Sequence, residues 1–348
     1  MSDSLSAIWA EIAAGTARGY ARDLAASAGA SEAQLVAAGI GNGVVRLEVD
    51  WMESLPRLEE LGEVKVITRN NSIVHEKVGT FGSINIVQTT GLVLNGNVDL
   101  RIFFGHWHHT FLVTSQGSRG PRTAIQVFDL HGNAVHKIYR TAATDAAAWE
   151  RFTGAFIAAD QTPGLEVLPP LQLPAPRADE AVDVNGLRGH WQKLKDVHHF
   201  HDMLAQFGVS RLQAMHLAGA PWTREVPADA LSRILSKAAA GNVPFMVFVG
   251  NPGCIQIHTG AVGNVVERDG WTNVMDPNFT LHVKNAEIAS AWVVRKPSRD
   301  CAITTLELYD VRGENCAILC GQRAPSEPER ADWVGLLDGL PSVGAAAA

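Results

Sequence analysis

The chain has 348 residues, 46% of them hydrophobic and 19% charged, and its 29 Lys and Arg are outnumbered by 36 Asp and Glu. That length can bury one very large core or two ordinary ones, and a net charge of -7 without a basic stripe argues against a nucleic-acid binder. The opening MSDSLSAIWAEIAAG lacks the basic and long apolar regions of a secretory signal, and no run reaches the ~18 apolar residues of a membrane span. A cytoplasmic protein, not embedded in a membrane, is expected.

Helical patterns are predicted over residues 3–28 and 31–38. Alternating or β-branched runs follow, VKVITR, GLVLNG, RIFFGHWHHTFLV and TAIQVFDLHGNAVHKIY, divided by Gly, Asn and Asp turn signals, and they predict a meandering antiparallel sheet. Within the last run, DLHGNAV reads as a hairpin turn. A helix is predicted over 144–158. Residues 161–187 are rich in proline, which continues neither a helix nor a central strand, and read as an extended connector. Helices over 188–207, 210–217, 227–240 and 326–338 then flank a second set of strands.

That second set repeats the first. VKVITRNNSIVHEKVG from Val64 lies against FMVFVGNPGCIQIHTG from Phe245 at an offset of 181, and the same offset pairs Asp129 with Asp310 and Gly132 with Gly313. Upstream, AGASEAQL and FGVSRLQA align at 179. The chain is therefore read as a tandem duplication with an N-terminal repeat over 1–160, the connector over 161–187 and a C-terminal repeat over 188–340, an α+β fold in which each half is a large antiparallel β-sheet flanked by helices.

The four cysteines, Cys254, Cys301, Cys316 and Cys320, form no CxxC pair, and reduced thiols are expected. No G-x-S-x-G, P-loop or H-E-x-x-H is present. Of 13 histidines, six cluster in two places. In GHWHHTF, a strand would put His106 and His108 on one face, where an exposed polar face is the simpler reading than a metal site. In KDVHHFHDM, a helix would run its apolar stripe through Leu194, Val197, Phe200, Leu204 and Phe207. His199 would then point away beside Lys195 and Asp202, with His201 and His198 successively further round the border of the stripe. The three histidines exist in the second copy alone, since Gly19, Tyr20 and Arg22 stand opposite them, and an asymmetric feature marks a site more readily than a recurring one. An imidazole at the edge of an apolar face, with Phe200, Phe207, Phe245 and Phe248 in the same half, meets what a haem needs, and Arg211, Lys296 and Arg323 are available to its propionates. Zinc would need further ligands at a defined spacing, and none is evident nearby.

LKDVHHFHDMLAQFGVSRLQAMHLA, FMVFVGNPGCIQIHTGAV, GWTNVMDPNFTLHV and TTLELYDVRGE, with NGNVDLRIFFGHWHHTFLV in the first copy, resemble the bacterial haem-utilisation family of hemin-degrading factors and haem-transport proteins of the HemS, HmuS, ChuS and PhuS type. The resemblance covers nearly the whole chain. It implies a cytoplasmic protein of iron acquisition with a haem cleft between the halves, binding haem b (iron protoporphyrin IX) delivered by an inner-membrane haem ABC transporter. Its D-V-H-x-F pattern falls on Asp196 to Phe200, which makes His198 the axial ligand, with His199 and His201 as alternative ligands. Arg101 matches a distal arginine, Phe103 and Phe248 match aromatic pocket positions, and Arg211, Lys296 and Arg323 match cations near the haem edge. Cys320 stands where the family commonly has an aromatic. Two roles follow from the resemblance, passing haem to a haem oxygenase and opening the porphyrin oxidatively; the triple histidine favours the first. A haem-independent interaction module is the remaining alternative.

Overall fold

The computed structural model describes residues 2–117, 120–170, 175–299, 301–324 and 327–343; the side chains of Ser2 and His198 lie outside that description, as do residues 171–174 of the connector. In chain order, helices α1 (Ser2–Ala14), α2 (Ala21–Ser27) and α3 (Glu32–Ala37) precede strand β1 (Val44–Leu47) and the single turn α4 (Trp51–Ser54). Eight strands follow, β2 (Gly62–Arg69), β3 (Ile73–Thr80), β4 (Ile84–Val87), β5 (Thr90–Asn95), β6 (Val98–Phe103), β7 (His109–Gly117), β8 (Gly120–Phe128) and β9 (Ala134–Thr144), and then α5 (Ala146–Ala155).

The second copy repeats this plan with helices α6 (Val184–Gln192), α7 (Phe200–Phe207) and α8 (Arg211–Ala218), strand β10 (Thr223–Val226) and helix α9 (Ala230–Gly241). Its strands are β11 (Phe245–Asn251), β12 (Cys254–Gly260), β13 (Val265–Arg268), β14 (Trp271–Asp276), β15 (Phe279–Lys284), β16 (Ile288–Pro297), β17 (Ala302–Asp310) and β18 (Asn315–Gly321), and α10 (Ala331–Asp338) ends it. The strands make two antiparallel sheets of nine each, and the fold is the duplicated α+β arrangement that the repeat predicts.

The duplication holds down to single hydrogen bonds. Ser31 caps α3 by accepting from the Gln34 N–H, and Ser210 caps α8 by accepting from the Gln213 N–H, each satisfying a helix-end donor that would otherwise be orphaned. Asp129 Oδ1 accepts from the N–H groups of His131 and Asn133, and Asp310 Oδ1 accepts from those of Arg312 and Glu314. Each of these turns needs a left-handed residue, supplied by Gly132 at φ 79° and Gly313 at φ 76°.

Two compact units result. Unit 1 is Met1–Arg69, His75–Gln172 and Gly250–Gln256, and unit 2 is Asn70–Val74, Leu173–Val249 and Ile257–Ala348. The tips of the β2–β3 and β11–β12 hairpins thus belong to the unit of the opposite copy. Equivalent amides secure both: Asn70 Nδ2 donates to the Cys316 carbonyl in unit 2, and Asn251 Nδ2 donates to the Val135 carbonyl in unit 1.

Three predicted elements differ. The helix over 3–28 is two helices, because Gly15 and Gly19 between them take positive φ, 73° and 124°. The helix over 188–207 breaks after Gln192. The Lys195 carbonyl accepts from the Arg299 N–H at 2.9 Å, and the His199 N–H donates to the Asp196 carbonyl, so Val197–His199 forms a 3-10 turn ahead of α7. GHWHHTF is a strand only from His109, because Phe104 and Trp107 both enter the core three residues apart, which a 3-10 turn allows and a strand does not. His106 and His108 are exposed there, and His108 Nε2 bonds its own turn at the Gly105 carbonyl, 2.9 Å.

Candidate functional site

In an antiparallel ladder, directly opposed residues share a face. Across β11, β18, β17 and β16 of unit 2, one opposed row is Phe248, Ile318, Glu307 and Trp292, and the next is Met246, Cys320, Thr305 and Val294. Lys296, two residues beyond Val294, takes the same face. The opposite face carries Phe245, Val247, Leu306, Leu319 and Val293, buried against α9 and α10. Pleat parity therefore brings three expected positions, Phe248, Lys296 and Cys320, onto one side of one sheet.

That side has two zones. Met246, Phe248, Ile318 and Cys320 are half-buried and form an apolar strip. Beside it, Trp292, Val294 and Tyr309 pack under α6, α7 and α8 with Trp191, Phe200 and Leu204. A charged cluster sits in this second zone around Glu307, which is fully buried. Arg211, from the first turn of α8, grips it with two parallel bonds, Nε to Oε2 at 2.7 Å and Nη2 to Oε1 at 2.8 Å. Lys296 Nζ donates to Oε1, the Tyr309 hydroxyl donates to Oε2 at 2.8 Å, and the Thr305 hydroxyl donates to Oε1 at 3.2 Å.

Burial by itself would raise the Glu307 carboxyl, but Arg211 and then Lys296 outweigh it and hold the group well below the usual carboxylate range. Burial pushes the Lys296 ammonium down to about 8, opposed by Glu307 and assisted by Arg211. The Cys320 thiol is pushed up to about 11 by burial, so it stays protonated at neutral pH. Among the described residues the cluster holds two cations to one carboxylate, an excess that favours a further anion.

Both cations also face the Phe200 ring, the Arg211 guanidinium carbon 5.0 Å and Lys296 Nζ 4.7 Å from its centre. Phe200 opens α7, directly after the turn that carries the histidines. His198 is placed there by its backbone alone. His199 and His201 are both exposed, so the half-buried border expected for His201 is not found, although Phe200, Leu204 and Phe207 keep the expected apolar stripe. His199 instead lines a cleft of about 670 Å³ with His190, Lys193, Asp202 and Arg299. Arg323 lies beyond β18 and donates to the Glu327 carbonyl at 3.0 Å. In unit 1, Arg101 and Phe103 are half-buried on one face of β6, and Arg101 pairs with Asp99. Among the described residues, no group of three His, Cys, Asp or Glu is placed to hold a metal ion.

A family model described as the haemin-degrading HemS/ChuX domain matches residues 29–156 and 208–340, once in each copy. The chain belongs to this family. It is 39% identical over 318 residues to the hemin transport protein HmuS of Yersinia pestis, covering 90% of each. Its structure matches holo-PhuS, a heme-binding protein from Pseudomonas aeruginosa, with a TM-score of 0.94 and 41% identity over 98% of this chain and 99% of that one. It also matches ChuS, an E. coli heme oxygenase, with a TM-score of 0.86 and 37% identity over 97% and 99% of the two chains. For a HemS/ChuX-family chain the apolar strip and the cation excess are chemically apt, since a haem presents a flat apolar macrocycle and carboxylate substituents. No helix among the described residues is long and apolar enough to cross a membrane.

Glu307 and Tyr309 escape a reading of the sequence. A signal exists for Glu307: it is the one acid inside TTLELY, an otherwise apolar or hydroxylated strand, and a buried acid requires cations. The expected cations at 211 and 296 are those partners.

Proposed function

We propose that this protein binds one haem b per chain in the cytoplasm and carries it in iron acquisition, receiving it from an inner-membrane haem ABC transporter and passing it intact to a haem oxygenase. His198 is the axial ligand to iron, with His199 and His201 as alternates during transfer. Phe248 and Cys320 contact the macrocycle, Arg211, Lys296 and Arg323 serve its carboxylates, and Arg101 with Phe103 contribute from the N-terminal repeat. The observation that supports this reading most is the pairing, on one sheet face, of the strip Met246, Phe248, Ile318 and Cys320 with a cluster one anion short of balance. When bound, the haem supplies the iron that the imidazole ligates; the chain's own residues orient it and hold its carboxylates.

Haem titration of the wild type and His198→Ala, followed at the Soret band, tests the ligand. The wild type should saturate at one haem per chain, and the variant should show a shifted band and weaker binding. Should His199 or His201 substitute, the triple alanine variant loses the band. An unchanged spectrum and affinity in the triple variant would sink the assignment.

Oxidative ring opening is the second reading, favoured by the 37% identity to a protein named as a heme oxygenase. The haem-loaded protein is given an electron donor and oxygen, with catalase present to remove peroxide. A defined tetrapyrrole product with iron release would establish degradation, and transfer of intact haem without that product would establish carriage.

A further inference from the structure

We infer that Glu307 is a positioning residue that couples the carboxylate-binding cations to the histidine turn. The inference rests on the haem reading for its purpose and on the geometry of the Glu307 cluster for its mechanism. Glu307 uses both oxygens: Oε2 takes Arg211 Nε and the Tyr309 hydroxyl, and Oε1 takes Arg211 Nη2, Lys296 Nζ and the Thr305 hydroxyl. Held this way, the two cations converge on the Phe200 ring, whose other neighbour is the Trp191 ring, edge-on at 4.8 Å between centres. Phe200 thereby touches both cations and the Trp191 ring.

Phe200 opens α7 directly after the Val197–His199 turn, so the ring that the two cations contact is the first helical side chain beyond the histidines. A shift of the cations toward an incoming carboxylate moves the contact beside the turn, and the turn carries the iron ligand. Carboxylate capture and iron ligation are then linked events.

The first copy shows that the fold does not require this arrangement. At the equivalent positions it has Gln126 for Glu307, Ser115 for Lys296 and Ala21 for Phe200, and yet it forms the same strands and the same capped helix. The first copy builds the same architecture with a different charged pair, Lys137 and Glu32, so the carboxylate holding two cations against an aromatic ring is particular to the second copy.

Glu307→Gln, which copies the first repeat, is the test, with Phe200→Leu as a second variant that keeps apolar burial but removes the ring. Amide hydrogen exchange of the haem-free protein is compared over 197–204 and over α9 and α10. Both variants should exchange about tenfold faster at 197–204, the scale of losing two cation–aromatic contacts, with α9 and α10 unchanged. Glu307→Asp should recover part of the protection. In the haem-loaded protein, Glu307→Gln should release haem to apomyoglobin about tenfold faster, whereas haem dimethyl ester, which has no carboxylates to capture, should leave wild type and variant at equal rates. Unchanged exchange at 197–204, or faster exchange spread evenly over the unit, would overturn the positioning role, and so would an equal effect on haem and its ester. If exchange changes locally but the wild type holds no haem, the positioning role stands and the haem reading falls.

Discussion

The two copies bury charge at the same place between the third helix of each and the sheet below it, and they do so with opposite polarity. In unit 1 the helix supplies the acid, Glu32, and the sheet supplies Lys137; in unit 2 the helix supplies the cation, Arg211, and the sheet supplies Glu307. The sheet partners lie on neighbouring strands at matching rungs: Lys137 is opposed to Gln126, and Ile318 is opposed to Glu307. In unit 1 Lys137 bonds Glu32, and Arg69 and Arg22 also act on that carboxylate. Unit 2 adds Lys296 and Tyr309 to the carboxylate and leaves a cation in excess, beside a turn where glycine has become histidine. Once a fold is duplicated, each copy can bury charge at the same place with a different set of partners, and only the second copy gathers two hydrogen-bonded cations on one carboxylate.

Removing each acid breaks the comparison open. Glu32→Ala takes the hydrogen-bonded carboxylate from Lys137 and Glu307→Ala takes it from both Arg211 and Lys296, so the losses should be about 3 and about 5 kcal/mol, the ends of the range for stripping one partner from a buried pair. Urea unfolding of the two variants measures both. Equal losses would mean that Lys296 draws nothing from Glu307.

Acid should weaken unit 1 through a residue that unit 2 lacks. His136 is buried, with Nδ1 2.9 Å from the Thr68 hydroxyl, and its equivalent is Ala317. Burial lowers its pKa from 6.5 to about 3, so the folded state refuses a proton that the unfolded chain accepts. Stability therefore falls as the pH drops below about 6.5, by up to about 1.4 kcal/mol per unit, until the folded imidazole titrates near 3. The urea midpoints of wild type and His136→Ala, followed from pH 7 to pH 4, should converge as the pH falls; a constant difference would show that His136 plays no part in the acid sensitivity.

The smallest effect tests where the copies agree. Ser31→Ala and Ser210→Ala should each cost about 1 kcal/mol, since each removes one helix-end acceptor. The bond that Gln34 Oε1 accepts from the Ser31 N–H is a backbone bond that Ser31→Ala keeps, so the two losses should be similar. A large gap between them, read from thermal midpoints, would show that the shared hydrogen bonds hide unequal surroundings.

Most of the fold was legible because its signals are local. The caps at Ser31 and Ser210, the Asp129 and Asp310 turns and the alternation along β6 and β11 each depend on residues within a few positions of one another. The histidine helix failed for a nonlocal reason: a backbone N–H from residue 299 takes the Lys195 carbonyl. GHWHHTF failed because Trp107 is drawn into the core by a bond from its indole N–H to the Gly253 carbonyl, 146 residues away. A pattern of alternating residues carries no record of such a partner.

By itself the sequence determined the duplication and the α+β class, because offsets and periods survive in one dimension, and through its family resemblance it nominated Arg211, Lys296 and Phe248. Only the tertiary structure decided that Phe248, Lys296 and Cys320 share a face, since that follows from strand register, and that Arg211 and Lys296 meet at Glu307. The physical reason is that a buried charge is tolerated only where its partners arrive, and these arrive from α8, β16 and β17, segments that lie up to 96 residues apart along the chain and within 3 Å in the fold.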